Sequence, residues 1–292
     1  MFDFRYHALS LVAVFLALGI GILLGVTIGD SLVSQADRGL REDLAGDVRQ
    51  ARRERDEARR GLEGRDRLIE AVFPQLVSGQ LSGRRVAVVA AGGGLPEGVE
   101  SGVREAVEVA GGRVDSVSTL DDPVAMGKVA EAIGTPVEGT VPDGEVLGSR
   151  LGRLVVRGGG AARQLEEDFS DVFRGDYRGA EAVVFFRSPP EEADEERQDE
   201  EDKLRRESAR ALEDSLLDAI GQEDIPAVGV EESDTDPSRV PFYKDRGLTS
   251  VDSVDLFAGR VALVSTLDGA EGNFGFKDTA DEPLPELPRL SE

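Results

Sequence analysis

The sequence predicts an α/β protein in which an N-terminal transmembrane helix and a coiled-coil stalk precede a doubly wound three-layer sandwich domain. Three observations lead to this prediction. Residues 8–29 contain no charged side chain, and residues 32–76 repeat apolar positions at helical spacing. After Gly83, short apolar runs alternate with amphipathic segments, which is typical of parallel strands joined by helices. We therefore expect an anchor at 1–30, a stalk at 31–76 and an α/β domain at 81–292.

The apolar run at residues 9–28 is long enough to cross a bilayer. It includes only Ser10 and Thr27 as hydroxyl side chains, and a helix of its length spans about 30 Å, the thickness of a bilayer's hydrocarbon core. The alternative is a cleaved signal peptide, with Ser-Gln-Ala at 34–36 as a loose cleavage site. The length of the run favours an uncleaved, single-pass anchor.

Small residues recur at every fourth position of this run. Lipid gives helices no apolar burial to drive association, so helices associate where small side chains let their backbones approach closely. The pattern predicts a parallel homodimer through a helix-packing face formed by Ala13, Ala17, Gly21, Gly25 and Gly29. Alternatively, the spacing arises by chance, because Gly is frequent in transmembrane helices.

The stalk is predicted from a weak heptad pattern. Its seam positions alternate in steps of four and three residues, which favours a coiled coil, although Arg55 and Arg65 occupy two of them. The apolar seam residues are Leu44, Val48, Ala51, Ala58, Leu62, Ile69 and Val72. The alternative is a single solvated helix held by i,i+4 charge pairs such as Glu63 with Arg67. Pro74 is predicted to end the helix.

Apolar periodicity predicts the elements of the α/β domain. Strands are expected at 86–91, 114–120, 182–186, 225–230 and 261–267. Helices are expected at 96–110, 123–133, 144–156, 164–173, 203–220 and 238–257, the last broken at Gly247. The turn at 91–98 matches neither Gly-x-Gly-x-x-Gly nor the Walker pattern, and Glu97 lies where a phosphate would arrive. Nucleotide binding is therefore not expected.

Composition excludes several kinds of chemistry. The 292 residues carry a formal net charge of −24, from 58 acidic and 34 basic residues, with no Cys, two Met and a single His. Thiolate nucleophiles, disulfides and Cys-ligated zinc are therefore impossible, and the chain after His7 has no imidazole base. The acidic excess lies in residues 81–292 and argues against a nucleic-acid partner.

No catalytic, cofactor-binding or metal site is predicted, and the chain is not expected to be an enzyme. Asp234 with Asp236, and Asp252 with Asp255, are acidic pairs that could share a hard cation. They lack the spacing of a calcium loop, so a chance pairing is favoured. The acidic run at 191–202 is interpreted as a solvated loop or helix start.

Two regions of the sequence resemble a known family. FRYHALSLVAVFLALGIGILLG at residues 4–25 is similar to the start of the actinobacterial MctB family of copper transport proteins, in which an Arg-x-His-x-x-Ser-Leu signature enters an Ala/Leu/Gly span. SVDSVD at 250–255, GRVALV at 259–264 and GNFG at 272–275 resemble the closing strand and Gly-aromatic segment of that family. The resemblance implies a copper-linked cell-envelope protein whose domain lies outside the cytoplasmic membrane.

The residues leave two functions open. Copper(I) prefers thiolate or thioether ligands and copper(II) prefers imidazole, whereas this chain offers Met1, Met126 and His7, with no two of them close in sequence. One function is copper transport or homeostasis, in which copper is implied by the resemblance alone and no cofactor is evident in the residues. The other is a catalytically silent, membrane-anchored scaffold whose α/β domain binds another envelope protein.

Charge does not determine the orientation of the span. A literal count of positive residues would keep the following region in the cytoplasm, but its Arg residues are interleaved with equal numbers of acids. Long domains also translocate largely regardless of charge. We therefore expect a single-pass protein of the cell membrane with an extracytoplasmic C-terminal domain, as the resemblance implies.

Overall fold

The computed structural model describes residues 4–120, 126–138, 141–188 and 200–286. Within these ranges the side chains at 4–8, 25–45, 47, 58, 62–67, 69, 137–138 and 201–202 lie outside the description. The chain divides into two compact units, Met1–Arg65 and Asp66–Glu292. Each unit is described by itself.

The first unit consists of residues of helix α1, whose bounds are Phe4–Val77. Every side chain from residue 9 to residue 24 is exposed. Ala13, Ala17 and Gly21 of the predicted packing face belong to this stretch, whereas Gly25 and Gly29 fall outside the described side chains. Among the residues that the structure describes, no helix is both long enough and apolar enough to span a membrane.

The predicted stalk residues lie along the same helix. Val48 and Ala51 are exposed in the first unit, and Val72 is half-buried in the second. The side chains of four further seam residues lie outside the description, namely Leu44, Ala58, Leu62 and Ile69. The backbone of α1 therefore covers the whole predicted seam, while pairing with a second helix stays a prediction.

The end of α1 lies in the core of the second unit. Phe73 and Val77 are 2% and 0% exposed, and both join the hydrophobic cluster of the domain. The prediction that Pro74 ends the helix is wrong, since the helix runs on to Val77. Proline lacks an N–H group, but its carbonyl still accepts a hydrogen bond, here from the backbone N–H of Ser78 at 2.9 Å.

The second unit is a mixed α/β domain. Its strands are β1 (Arg85–Ala91), β2 (Arg113–Leu120), β3 (Val137–Glu138), β4 (Val141–Pro142), β5 (Phe173–Gly175), β6 (Ala182–Arg187), β7 (Ala227–Val230), β8 (Thr249–Val251) and β9 (Asn273–Phe274). Its further helices are α2 (Glu97–Val109), α3 (Gly127–Ala132), α4 (Gly144–Arg157), α5 (Gly160–Asp168), α6 (Glu200–Gly221), α7 (Val240–Lys244) and α8 (Phe257–Leu267).

The described strands form a seven-stranded sheet in the order β5-β2-β1-β6-β7-β8-β9, together with a small β3–β4 pair. All neighbours in the larger sheet are parallel except β2 and β5. The prediction of an α/β domain on a mostly parallel sheet is confirmed. The strands predicted at 86–91, 114–120 and 182–186 lie within one residue of their observed bounds, and the one predicted at 225–230 begins two residues later.

Both faces of the sheet are buried, as continuous apolar strands require. Alternate residues of β1 point to opposite faces, because side chains in a strand alternate. Val86, Val88 and Ala90 join a cluster with α2 and α8, whereas Ala87 and Val89 join a second cluster with α4 and α6. The sheet therefore holds helices against each of its faces.

Helices α4 and α6 approach each other unusually closely. Gly144, Gly148 and Gly152 occur at every fourth position of α4. A β carbon at these positions would lie 1.9, 2.2 and 2.7 Å from the carbonyl oxygens of residues 208, 212 and 216 of α6. The glycines are thus required for backbone-to-backbone packing, the same principle that small residues serve in membrane helices.

Two predicted elements near the C-terminus are wrong. Residues 261–267, predicted as a strand, lie in helix α8, so the segment GRVALV that resembled a closing strand is helical as well. A helix buried on all sides is apolar all round and cannot be told from a buried strand by periodicity. The helix predicted at 238–257 is instead α7 followed by β8, with Gly247 at φ 68° between them.

One shorter predicted helix differs from the observed element, and two further predicted segments lie partly outside the described residues. The helix predicted at 164–173 begins and ends earlier, as α5, and Phe173 starts strand β5 at the sheet edge. The helix predicted at 123–133 is described only as α3, because residues 121–125 lie outside the described residues. The acidic run at 191–202 also lies largely outside them, with α6 beginning at Glu200.

Candidate functional site

The carboxyl ends of the central strands form the edge at which an open α/β sheet binds ligands. The chain leaves β1 toward β2 on one side, whereas β6, β7 and β8 follow in order on the other. The strand order therefore reverses between β1 and β6, and open α/β sheets bind their ligands at such a point. The loop after β1 is Gly92-Gly93-Gly94, and Arg187 ends the neighbouring strand β6.

Glu231, which directly follows β7, is completely buried and fully engaged. Its carboxylate accepts hydrogen bonds from the Ser238 hydroxyl at 2.8 Å and from the backbone N–H of Arg239. The Lys277 ammonium lies 2.9 Å from the same carboxylate and also donates to the carbonyl oxygens of residues 232 and 235. A buried carboxylate with this many donors is well compensated for the loss of water.

Arg187 and Glu213 form a second ion pair at this edge. The Arg187 Nε lies 2.8 Å from a Glu213 carboxylate oxygen, and the guanidinium carbon lies 4.5 Å from the centre of the Phe242 ring. Glu213 comes from α6 and reaches the loop after β1, because its Oε1 lies 3.7 Å from where a β carbon of Gly92 would stand. Two helices and two strand ends thus meet here.

Tyr243 links the ends of strands β6 and β7 through its hydroxyl group. Its hydroxyl donates to the Val230 carbonyl at 2.9 Å and accepts from the Arg187 backbone N–H at 3.1 Å. Burial raises the pKa of the Tyr243 hydroxyl, so this group stays protonated. Gly229 of β7 makes room for the ring, because a β carbon there would lie 2.4 Å from ring atoms.

The charged cluster at this edge consists of Arg187, Glu213, Glu231, Arg239 and Lys277. Arg239 differs from the other four in its hydrogen bonding. It is 8% exposed, and its Nε and Nη2 atoms are buried without a hydrogen-bond partner in the described part of the chain. Burial, followed by the positive charge of Arg187, lowers the pKa of the Arg239 guanidinium. Unpaired buried charges are costly and rare in folded proteins, so this group needs an explanation.

Asp252 and Asp255, one of the acidic pairs considered from the sequence, bind two different sets of hydrogen-bond donors. Asp252 is buried and accepts hydrogen bonds from the Ser253 hydroxyl and from the backbone N–H groups of Phe276 and Lys277 at 2.7 to 3.0 Å. Asp255 instead binds the backbone N–H and hydroxyl of Ser233. Within the residues described, no three His, Cys, Asp or Glu side chains come together as a metal site would need.

Among the described side chains, Met126 is the one that copper would prefer. Met126 is 1% exposed and packs in the hydrophobic cluster with α4 and α6. Met1 lies outside the described residues, and the side chain of His7 lies outside the described side chains. Sequence reasoning found no residue of the charged cluster, although charged residues that directly follow buried strands, such as Arg187 and Glu231, were an available signal.

Comparison with known proteins identifies relatives of the chain. Residues 1–285 match the family model described as "Copper transport outer membrane protein, MctB". Proteins named Copper transporter MctB from Mycobacterium bovis and Mycobacterium tuberculosis are each 28% identical to this chain over 152 residues. The matched region covers 52% of this chain and 48% of each relative, so the chain spans about half the length of the curated relatives that it matches.

Proposed function

Because this chain belongs to the MctB family, we propose that it takes part in copper transport or copper homeostasis at the cell envelope, as a single-pass membrane protein with an extracytoplasmic α/β domain. The family's description and the name of the mycobacterial relatives support the link to copper. The proposal divides the chain into an anchor at 1–30, a stalk at 31–76 and a doubly wound, three-layer domain at 81–292. It assigns no catalytic role to the domain.

The observation that carries the proposal is the exposed apolar surface of the first unit. Leu9, Phe15 and Leu23 are 75%, 65% and 72% exposed, and they belong to an uninterrupted row of exposed side chains from residue 9 to residue 24. Apolar surface costs about 25 cal/mol per Å² when it faces water. A row of this kind on one helix is stabilised by a bilayer, and the uncharged sequence continues to residue 29.

The same helix supports a parallel homodimer in the membrane. No heavy atom lies within 4 Å of the position that a β carbon on Gly21 would take, so this part of the predicted face is open to a second helix. Dimerisation through Ala13, Ala17, Gly21, Gly25 and Gly29 would bring two stalks side by side. The weak heptad seam would then pair at high effective concentration, without strong affinity of its own.

In this proposal copper is the cargo, and a partner protein supplies its ligands. The sequence contains no Cys and a single His, and Met126 is buried in the core. A thiolate or imidazole site for copper therefore needs residues beyond those of the α/β domain. The domain is accordingly proposed to bind another envelope protein that carries the copper ligands. In this way the chain would serve copper transport or homeostasis by acting as a membrane-anchored scaffold.

Paired variants of the full-length chain test the anchor and the dimer. Changing Gly21 and Gly25 to Leu places bulky side chains on the packing face, and we expect loss of self-association in a split-reporter assay in membranes. Gly19→Leu is the matched control, because Gly19 lies on another side of the helix and is equally open. Unchanged association of the double variant would refute the packing face. Loss of association in the Gly19 variant would show that the helices do not pack through the face that contains Gly21 and Gly25.

A strain lacking the chain tests the copper role. Full-length protein should restore normal cell-associated copper. Residues 66–292 keep the buried Phe73 and Val77 but should not restore it, because they lack the anchor. In parallel, titration of the full-length protein in nanodiscs with Cu(I) and Cu(II) should show no micromolar binding. Normal copper levels in the deletion strain would refute the role, and tight binding that His7→Ala abolishes would refute the assignment of the ligands to a partner.

A further inference from the structure

The unpaired edge of Arg239 has the geometry of an oxyanion receptor. The Nε–H and one Nη2–H bond of a guanidinium point in parallel from the same edge, at the spacing of two oxygens of a carboxylate or phosphate. These are the two nitrogens of Arg239 that have no hydrogen-bond partner among the described residues. We propose that Arg239, with Arg187 beside it, binds a small oxyanion through a carboxylate or phosphate group at the carboxyl ends of β6 and β7.

The neighbouring acids do not neutralise Arg239. Glu231 accepts the backbone N–H of Arg239, but its side-chain partners are Ser238 and Lys277. Glu213 is paired with Arg187 at 2.8 Å. Neither carboxylate forms a hydrogen bond with the Arg239 guanidinium in the described structure, although both lie close enough to act on it electrostatically.

The pairing of the neighbouring charges leaves Arg239 without a partner of its own in the described part of the chain. Glu213 is paired with Arg187, and Glu231 is paired with Lys277. An anion can therefore pair with the Arg239 guanidinium without displacing either carboxylate.

The position of the group in the fold gives independent support. The Arg239 backbone N–H donates to Glu231, which directly follows β7. Strand β7 is next to β6, and the order of the sheet reverses between β6 and β1, where open α/β sheets bind ligands. The glycine-rich loop after β1 carries no phosphate motif, so its sequence alone predicted no anion there. The basic groups come instead from the end of β6 and from the start of α7, which only the fold brings together.

The test compares the full-length protein in nanodiscs with and without a probe anion, in chloride buffer free of other oxyanions. Inorganic phosphate and malonate are the probes, with thermal unfolding and calorimetric titration as readouts. We expect either probe to raise the melting temperature of the wild type. Binding of phosphate alone, or of malonate alone, identifies which oxyanion source the site prefers.

Two variants separate a binding role from a structural one. Arg239→Met keeps an unbranched apolar stem about as far as the Nε position and removes the unpaired charge, so it should weaken binding of the probe at least tenfold without lowering the melting temperature in probe-free buffer. Arg239→Lys keeps the charge but loses the parallel N–H bonds and should bind several-fold more weakly than the wild type. Arg163→Met, at an exposed position of α5, is the control and should bind like the wild type.

Three results would overturn the proposal. The first is a wild type that binds neither probe at millimolar concentration. The second is equal affinity in the wild type and Arg239→Lys, which would rule out recognition by the guanidinium edge. The third is a large loss of stability in Arg239→Met in probe-free buffer, which would show that the arginine serves the fold.

Discussion

Replacing Gly148 by Ala should destabilise the α/β domain, although alanine is the better helix former. Gly148 lies in the middle of α4, where a β carbon would stand 2.2 Å from the Leu212 carbonyl oxygen of α6. Ordinary contact begins at 3.4 Å, so the two helices would have to separate by about 1.2 Å. The atom in the way is backbone, and a change of side-chain rotamer cannot relieve the clash.

The magnitude follows from two opposing effects. Alanine in a helix interior gains about 0.5–1 kcal/mol over glycine. Overpacking costs about 1–3 kcal/mol, and more when backbone must move, because separating α4 from α6 also loosens Leu151 and Leu216, which are completely buried. We expect a net loss of roughly 2 kcal/mol in the free energy of unfolding, or about 4–8 °C in the melting temperature of a domain this size.

Thermal and urea unfolding of the full-length protein measure this effect against two further glycines. Gly221→Ala is the matched control, since Gly221 also belongs to a helix and no heavy atom lies within 4 Å of its β-carbon position. It should be neutral or slightly stabilising. Gly152→Ala should lie between the two, because its nearest obstacle is 2.7 Å away. Equal stability of the Gly148 and Gly221 variants would refute the backbone-packing argument.

Two further predictions concern the carboxyl edge of the sheet. Burial, then the charges of Asp234 and Asp255, raise the pKa of Glu232 above its ordinary 4.5, so its ionisation costs stability as pH rises through this range. Glu232→Gln should therefore raise the melting temperature at neutral pH and lose this advantage well below pH 4.5. An equal gain at both pH values would contradict the raised pKa of Glu232. Tyr243→Phe removes the hydroxyl that pairs two buried backbone groups and should cost about 1–3 kcal/mol in chemical unfolding, whereas an unchanged midpoint would show that these groups find other partners.

The elements that could be predicted are those whose pattern has one physical solution. Val86 and Val88 belong to a short apolar run between glycine-rich turns, and such a run fits a strand buried on both faces. The run from Val261 to Leu267 looks equally apolar, yet it is a helix enclosed by the core. Local sequence could not separate these two cases, because complete burial removes the contrast between polar and apolar faces that periodicity needs.

The candidate site was less predictable than the fold. Arg187, Glu213, Glu231 and Arg239 come from four separate stretches of the chain, and none of them forms a motif with its sequence neighbours. Their charges matter because the fold buries them together, since burial strengthens electrostatic interactions and penalises any group left unpaired. Asp252 and Asp255 are only three positions apart in sequence, yet they bind two different sets of hydrogen-bond donors.

The sequence by itself determined the family, the α/β class of the domain and the extent of the uncharged N-terminal run, because these depend on composition and on order along the chain. Only the tertiary structure decided that glycines of α4 permit contact with α6 and that Arg239 is buried without a hydrogen-bond partner for Nε and Nη2 among the described residues. Both facts are distances between residues far apart in sequence. Such distances follow from packing, in which excluded volume and desolvation act between neighbours in space rather than neighbours in the chain.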